Sequence, residues 1–207
     1  MAKKLNLAVF VSGRGSNLRA ILVHDDLKSL VSVKGVFSDK KDCPAFEIAR
    51  EFSIPTFPIS FKNITNAEIQ ENLLSEFKNL NIELIVLAGF LKMIPVEIIR
   101  EYNNRIINIH PALLPSFGGK GMYGMNVHRA VFNSSAKVSG ATIHFVNELY
   151  DEGLIINQKP VDVTFAESPE EIAEKVLRIE HCLLPETIKL FALNKVEIKE
   201  NRVKILN

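Results

Sequence analysis

The sequence has few cysteines, almost no net charge and no long apolar run. Its two cysteines lie far apart and form no metal or redox motif, which favours reduced thiols and a cytoplasmic location. Lysine and arginine total 25 against 24 acidic residues, so the net charge of +1 gives no electrostatic reason to expect nucleic-acid binding. No apolar run is long enough to span a membrane, and the basic start of the chain is a poor signal peptide. We therefore expect a cytoplasmic globular protein with neither nucleic-acid nor membrane partners.

The length and composition are those of an ordinary globular domain. At 207 residues, with 47% apolar and 24% charged residues, the chain can form a real core without disulfide or metal staples. No internal repeat or low-complexity stretch interrupts it. We expect a single domain over residues 1–207.

Apolar strands and amphipathic helices alternate through the first half of the sequence. Strands are predicted at residues 5–11, 31–37, 56–59, 82–89 and 105–110, and Pro58 places the third of them near an edge of the sheet. Helices are predicted from about residue 18, at 44–52, at about 65–80 and from residue 95. A capping box of Thr65 and Glu68 begins the third helix, and a serine cap at Ser168 begins a later one. The alternation is typical of a doubly wound, mostly parallel, Rossmann-like α/β sheet with helices on both faces. Antiparallel additions near the C-terminus are predicted by strands at 139–146 and 155–163 and by a small hairpin at 196–206.

A short glycine loop, residues 12–17, ends the first strand and precedes a helix. This geometry holds an anion, because backbone N–H groups can approach it and the helix dipole favours negative charge. Ser16 and Asn17 add side-chain donors, and either could cap the helix. The spacing matches neither a Walker A loop nor the dinucleotide fingerprint. The loop predicts a phosphate site, with a turn that needs glycine for steric reasons as the alternative.

The strand at residues 105–110 ends in the pair Asn108 and His110. Since side chains alternate along a strand, both point to the same face and can act on a single point in space. Pro111 helps to end the strand, and open α/β sheets bind ligands at the carboxyl ends of their strands. The pair is therefore a candidate for chemistry, with turn or cap residues as the alternative. We expect the phosphate loop to open on the same edge of the sheet.

Three further segments could line a site. An apolar turn at residues 90–94 leaves the sheet and is either cover for the core or the wall of a ligand slot. The glycine-rich loop at 116–124 suits a lid or a wall that a substrate approaches closely. An acidic turn at 147–153 carries Asp151, although acidic turns usually serve solubility alone.

Five motifs follow one another along the chain. They lie at residues 12–17, 87–94, 108–115, 140–146 together with Asp151, and 180–181. In this order and at this length they resemble the folate-dependent phosphoribosylglycinamide formyltransferases of purine synthesis. The resemblance covers nearly the whole chain, and the five motifs together are far more specific than any one of them.

The resemblance implies two small-molecule substrates, no metal, and a monomer or homodimer. The phosphate of glycinamide ribonucleotide would be held by Gly15, Ser16 and Asn17, and Glu180 would contact that substrate beyond its phosphate. The co-substrate 10-formyltetrahydrofolate would be bound, largely through backbone groups, by Leu91, Lys92, Met93 and Ile94 together with Asn108. The N-terminal half would thus bind the nucleotide phosphate, and the C-terminal half would complete the folate and catalytic site.

The resemblance also implies a catalytic trio of Asn108, His110 and Asp151, with direct attack of the substrate amine on the formyl carbon. The attack forms a tetrahedral oxyanion, which needs fixed hydrogen-bond donors. Asn108 can supply one donor and a protonated His110 another. Because an imidazole has an ordinary pKa near 6.5, we expect Asp151 to raise the pKa of His110 and make it a usable proton donor.

Two departures from the family pattern bear on the substrate site. Asn66 occupies a position where an arginine often precedes the helix, so the group that holds the glutamate tail of the folate is left open. The loop at 118–125 is longer than in many members, and no substrate contact is carried onto it. We expect His24 and His128 to be surface or packing residues, and His144 to be a structural neighbour of the site rather than a catalyst.

Two alternative functions remain. The first is another folate-dependent formyl enzyme: a methionyl-tRNA formyltransferase would carry a further basic C-terminal domain, and a formyltetrahydrofolate hydrolase an extra N-terminal regulatory domain. The second is a non-catalytic nucleotide-binding module with a Rossmann-like sheet. That module would explain the glycine loop but not the trio, and it predicts that Asp151 and His110 lie too far apart for contact.

Overall fold

The computed structural model describes residues 3–60 and 65–206. The chain divides into two compact units, Met1–Ile107 and Asn108–Asn207. The expectation of a single domain over residues 1–207 stays a prediction.

The first unit alternates strands and helices along its length. Its elements are β1 Leu5–Phe10, α1 Ser16–Val23, α2 Asp25–Leu30, β2 Val31–Ser38, α3 Ala45–Glu51, β3 Thr56–Pro58, α4 Asn66–Asn79, β4 Leu84–Leu87 and α5 Val96–Glu101. The helix α2 was not predicted, because its six residues bury only Leu27 and leave no periodic pattern to detect. Every predicted strand and helix of this unit is present, with ends shifted by one or two residues.

The core of the first unit lies around β1, which pairs in parallel with both β2 and β4. Phe10 on β1 lies opposite Phe37 on β2, and the two rings stack with centroids 4.9 Å apart. Phe77 of α4 meets both rings edge-on. The strand β3, limited by Pro58, pairs only with β2 and lies at the edge of the sheet, as its proline predicted.

The second unit begins within β5 Ile106–His110. Its further elements are α6 Met125–Asn133, β6 Val138–Phe145, β7 Ile155–Asp162, α7 Pro169–Ala192, β8 Val196–Lys199 and β9 Arg202–Ile205. The strands β6 and β7 are antiparallel, and β8 and β9 form a separate antiparallel hairpin. The long helix α7 begins where predicted: Ser168 caps it by accepting a hydrogen bond from the Glu171 amide, 3.2 Å away.

The predicted fold class is confirmed. The sheet has seven strands in the order β3-β2-β1-β4-β5-β6-β7, it is mostly parallel, and helices connect most of its strands. The antiparallel additions near the C-terminus are also present. Within residues 3–60 and 65–206, no helix is long and apolar enough to cross a membrane.

Candidate active site

The glycine loop between β1 and α1 ends at Gly15, which caps α1 with a φ of 77°. A side chain at this position would strain the backbone, and its Cβ would lie 2.6 Å from the Cβ of Ala45. Ser16 and Asn17 lie in the first turn of α1, so the expectation that one of them caps the helix is wrong. The first turn of α1 carries no acidic side chain, so no carboxylate of the helix itself offsets the positive end of its dipole. The geometry suits an anion, and phosphate binding stays a prediction.

The apolar turn after β4 has buried ends and an exposed middle. Phe90 and Ile94 are 9% and 5% exposed, whereas Leu91 and Met93 are about half exposed, at 50% and 45%. The exposed Lys92 lies between them. Large apolar side chains held in solvent by a buried base form a wall that a flat apolar ligand can contact. Of the four predicted folate residues, Leu91, Lys92 and Met93 are thus exposed together, whereas Ile94 is buried at the base of the turn, and folate binding stays a prediction.

The three residues predicted to be catalytic lie together within the second unit. The strand β5 presents Asn108 and His110, and the turn between β6 and β7 presents Asp151 with a φ of 58°. Nδ1 of His110 lies 3.5 Å from Oδ2 of Asp151, and the imidazole is only 3% exposed. A non-catalytic nucleotide-binding module predicted that His110 and Asp151 lie too far apart for contact, and the observed distance contradicts that prediction.

His144 belongs to the same cluster, so the expectation that it is a structural neighbour of the site is confirmed. Its Nε2 lies 3.0 Å from Nδ2 of Asn108 and 3.6 Å from Oδ1 of Asp151. Its Nδ1 lies 2.8 Å from the Phe145 carbonyl, which can only accept a hydrogen bond, so Nδ1 carries the proton. In neutral His144 the Nε2 atom is then an acceptor for an N–H of Asn108. The sequence already placed a second pair of polar side chains on one strand face, because Thr142 and His144 lie two residues apart on β6, as Asn108 and His110 do on β5.

The glycine-rich loop after β5 contacts His110 and Asp151 through its backbone. The Phe117 carbonyl lies 2.8 Å from Nε2 of His110, so this nitrogen carries a proton and donates a hydrogen bond to the carbonyl. The Gly119 amide donates a hydrogen bond to Oδ2 of Asp151, at 3.0 Å. The sequence left the role of this loop open, and the structure shows that it orients both His110 and Asp151.

The electrostatics of His110 differ from the expectation. Burial lowers the pKa of His110, and although Asp151 and the Phe117 carbonyl act to raise it, the net pKa lies below the ordinary value of 6.5. Asp151 thus acts on the pKa of His110 in the expected direction. The expectation that this pKa is raised overall is wrong, because burial has the larger effect. Burial raises the pKa of Asp151, but His144, His110 and the Gly119 amide outweigh it and lower that pKa overall. The pair therefore rests as a neutral imidazole beside a carboxylate.

The remaining predicted residues take ordinary places in their elements. Glu180 lies on α7 and is 7% exposed. Asn66 is the first residue of α4, whose predicted capping box of Thr65 and Glu68 is confirmed. His128 on α6 is a buried packing residue, as expected, and burial lowers its pKa to about 4. Across the two described ranges, no group of three or more histidine, cysteine, aspartate or glutamate residues could hold a metal ion.

A family model described as formyl transferase matches residues 5–188 of the chain. The chain belongs to the formyl transferase family. A protein of Arabidopsis thaliana, "Phosphoribosylglycinamide formyltransferase, chloroplastic", is 42% identical over 99% of this chain and 71% of its own length. The phosphoribosylglycinamide formyltransferase of Bacillus subtilis is 35% identical over 90% of this chain and 95% of its own. The resemblance to this branch of the family is confirmed.

Solved structures of the family share the fold over the whole chain. The phosphoribosylglycinamide formyltransferase of Anaplasma phagocytophilum has a TM-score of 0.89 at 31% identity, over 99% of this chain and 96% of its own. A formyltetrahydrofolate deformylase of Pseudomonas syringae also reaches a TM-score of 0.89, over 100% of this chain and 67% of its own. At 22% identity, the second likeness shows the fold alone.

The predicted cytoplasmic location is contradicted by the plant members of this family. The Arabidopsis thaliana relative is named as chloroplastic, and so is a relative from Vigna unguiculata that is 39% identical over 99% of this chain and 66% of its own length. The prediction relied on low cysteine content, which argues only against an oxidising compartment. It cannot distinguish between two compartments in which thiols stay reduced.

Proposed function

We propose that the chain transfers the formyl group of 10-formyltetrahydrofolate to the amine of glycinamide ribonucleotide, a step of purine biosynthesis. The contact between His110 and Asp151, beside an Asn108 held by His144, carries the proposal. An amide donor next to an imidazole–carboxylate pair suits acyl transfer from a formamide to an amine. The relatives named phosphoribosylglycinamide formyltransferase support the identity of the acceptor.

In the proposed reaction the amine attacks the formyl carbon, a C–N bond forms, and the carbonyl electrons move to oxygen. One hydrogen of the Asn108 amide is donated to His144, which leaves the second for this oxyanion. The intermediate then collapses as the bond between the formyl carbon and N10 of the folate breaks. The amine loses one proton and N10 gains one, so a single proton transfer balances the step.

We assign this proton transfer to His110. Its Nε2–H is donated to the Phe117 carbonyl, and its lowered pKa keeps the resting imidazole neutral, so Nδ1 is the nitrogen that takes the proton. Asp151, 3.5 Å away, stabilises the imidazolium until the proton passes to N10. This role replaces the protonated His110 that the family resemblance implied.

The pH dependence of turnover distinguishes the two roles of His110. If the neutral form is active, kcat falls as the pH decreases through a pKa below 6.5. If the protonated form is active, kcat falls as the pH rises through the same pKa. Steady-state rates at saturating concentrations of both substrates, measured between about pH 5 and pH 8, decide between them.

The substrate roles follow the surfaces described above. The first turn of α1, with Gly15, Ser16 and Asn17, would bind the phosphate of glycinamide ribonucleotide, and the buried Glu180 would bind a polar group of the same substrate. The turn of Leu91, Lys92, Met93 and Ile94, of which the first three residues are exposed, would bind the pterin of the folate together with Asn108. The first unit then serves mainly in binding, and the second unit in catalysis.

A formyl-transfer assay with glycinamide ribonucleotide and 10-formyltetrahydrofolate tests the proposal. His110→Asn should lower kcat by at least about 100-fold, because the proton transfer is lost, while calorimetry shows little change in ribonucleotide binding. His24→Asn, at a histidine far along the sequence from the trio, is the control and should keep its rate. Hydrolysis of the folate without transfer would instead assign the chain to the hydrolases.

A further inference from the structure

A chain of hydrogen bonds joins the carboxyl ends of three neighbouring strands in the first unit. The Leu91 amide, after β4, donates to Oγ of Ser12, after β1, at 2.9 Å. Oγ of Ser12 in turn donates to Oδ1 of Asp39, after β2, at 2.6 Å. The Ser12 amide makes a further bond to the Gly89 carbonyl, at 3.0 Å. Ser12 is 1% exposed, so these bonds form away from water.

The chemistry of the three groups fixes which of them donates and which accepts in each of these hydrogen bonds. A carboxylate can only accept, so the single hydrogen of the Ser12 hydroxyl is committed to Asp39. The lone pairs of Oγ are then available to the Leu91 N–H. Hydrogen bonds to a charged acceptor are stronger than neutral ones, and bonds in a chain polarise one another. Asp39 therefore strengthens the hold of Ser12 on Leu91.

We propose that Ser12 is a positioning residue for the turn of Leu91, Lys92, Met93 and Ile94. This inference rests on the proposed role of that turn as the folate surface. Ser12 is buried and acts through the Leu91 backbone, holding the first residue of the turn where the strand ends. The apolar wall formed by Leu91 and Met93 thereby keeps its shape while it lies in solvent. Preorganisation of a binding surface in this way increases affinity for the ligand that it contacts.

Ser38 offers a matched control at the same edge of the sheet. It is also a fully buried serine at the end of a strand, β2, with 0% exposure. Its hydroxyl accepts a hydrogen bond from the Lys40 amide only two residues away, at 3.2 Å. Ser38→Ala thus removes a buried hydroxyl of the same kind, but no bond to the turn after β4.

Ser12→Ala should raise the KM for 10-formyltetrahydrofolate about tenfold, because the Leu91 N–H loses its acceptor. The KM for glycinamide ribonucleotide and kcat should change by less than about twofold, and Ser38→Ala should leave all three unchanged. Asp39→Ala should raise the folate KM in the same direction but by less. The double variant Ser12→Ala/Asp39→Ala should be no worse than Ser12→Ala alone, since the carboxylate acts through the hydroxyl.

Amide hydrogen exchange of Leu91 in the unliganded full-length chain gives a readout independent of activity. The amide should be protected in the wild type and in Ser38→Ala, and lose protection in Ser12→Ala. Loss of protection with an unchanged folate KM would overturn the positioning role, as would an equal rise in both KM values or a fall in kcat alone. Unchanged protection would overturn the hydrogen-bond chain itself.

Two further outcomes are also decisive. If the wild type transfers no formyl group, the proposed function fails and the folate role of Ser12 fails with it, while hydrogen exchange still decides the hydrogen-bond chain. If Ser12→Ala does not fold, Asp39→Ala carries the test, because Asp39 is less buried than Ser12. If Asp39→Ala folds, keeps the folate KM unchanged and still protects the Leu91 amide, the proposed series of hydrogen bonds from Asp39 through Ser12 to Leu91 is contradicted.

Discussion

At the scale of single residues, the site is a closed ring of four polar side chains. Asn108 contacts His144, His144 approaches Asp151, and Asp151 contacts His110, which lies two residues from Asn108 on the same strand. The carbonyls of Phe145 and Phe117 each bind one ring nitrogen of a histidine and so select which nitrogen is protonated. The protonation pattern of the site is therefore set by backbone groups.

His144→Ala should lower kcat by about 100-fold, because the Asn108 amide loses the partner that orients it toward the oxyanion. The KM for glycinamide ribonucleotide should change little, since none of the residues proposed to bind it contacts this imidazole. His144→Gln should recover part of the rate, because its side-chain oxygen can accept the same N–H. Steady-state kinetics of both variants test this, and full activity in His144→Ala would show that Asn108 needs no such partner.

At the scale of elements, the turn between β6 and β7 is held close to the end of β6. A Cβ on Gly153 would overlap the Phe145 carbonyl, which also accepts the hydrogen bond from Nδ1 of His144. Glycine is therefore required here, and the close approach brings Asp151 to both histidines. The loop after β5 supplies the remaining bonds, through Phe117 and Gly119.

Gly119→Ala and Gly121→Ala compare two effects of this loop: the hydrogen bond from the Gly119 amide to Asp151, and the backbone strain of a side chain at a positive φ. Both glycines have a positive φ, 94° and 90°, and a Cβ at either would meet open space. An alanine at each should therefore cost a similar roughly 1–2 kcal/mol of stability, seen as a similar fall in Tm. Only the Gly119 amide binds Asp151, so only Gly119→Ala should also lower kcat. An equal loss of kcat in both variants would argue that the whole loop, not this bond, matters.

At the scale of the whole molecule, buried histidines couple folding to pH. The pKa of His128 falls from 6.5 in the unfolded chain to about 4 when it is buried, and the pKa of His110 is lowered as well. The unfolded state thus binds more protons than the folded state between these values, so stability is complete above about pH 6.5 and is lost as the pH falls toward 4. Protonation of Asp151, whose pKa is also lowered, removes further stability at still lower pH.

His128→Leu should flatten the pH dependence of the free energy of unfolding between about pH 6.5 and pH 4. The wild type should lose at most about 3 kcal/mol more than the variant across this window, because the buried imidazole must be protonated on unfolding. Nδ1 of His128 has no hydrogen-bond partner among the described residues, so the apolar replacement gives up no bond there. Urea unfolding at a series of pH values measures the effect, and identical pH profiles would contradict it.

The sequence alone was sufficient for the fold class and for most elements. Runs of apolar residues, the capping box at Thr65 and the serine cap at Ser168 are local signals, and each marked an element that the structure contains. Pro58 likewise predicted an edge strand without knowledge of the neighbouring strands. The five motifs predicted the family, because their order along the chain is far more specific than any one of them.

Only the tertiary structure decided how the site residues are paired and charged. His144 is 36 residues from Asn108, and their contact depends on where the ends of β5 and β6 lie, which no local pattern encodes. The pKa of His110 depends on burial as much as on Asp151, and burial is a property of the packed molecule. The sequence therefore named Asn108, His110 and Asp151 as candidates, whereas the fold lowers the pKa of His110 by burial and places a second histidine against Asn108.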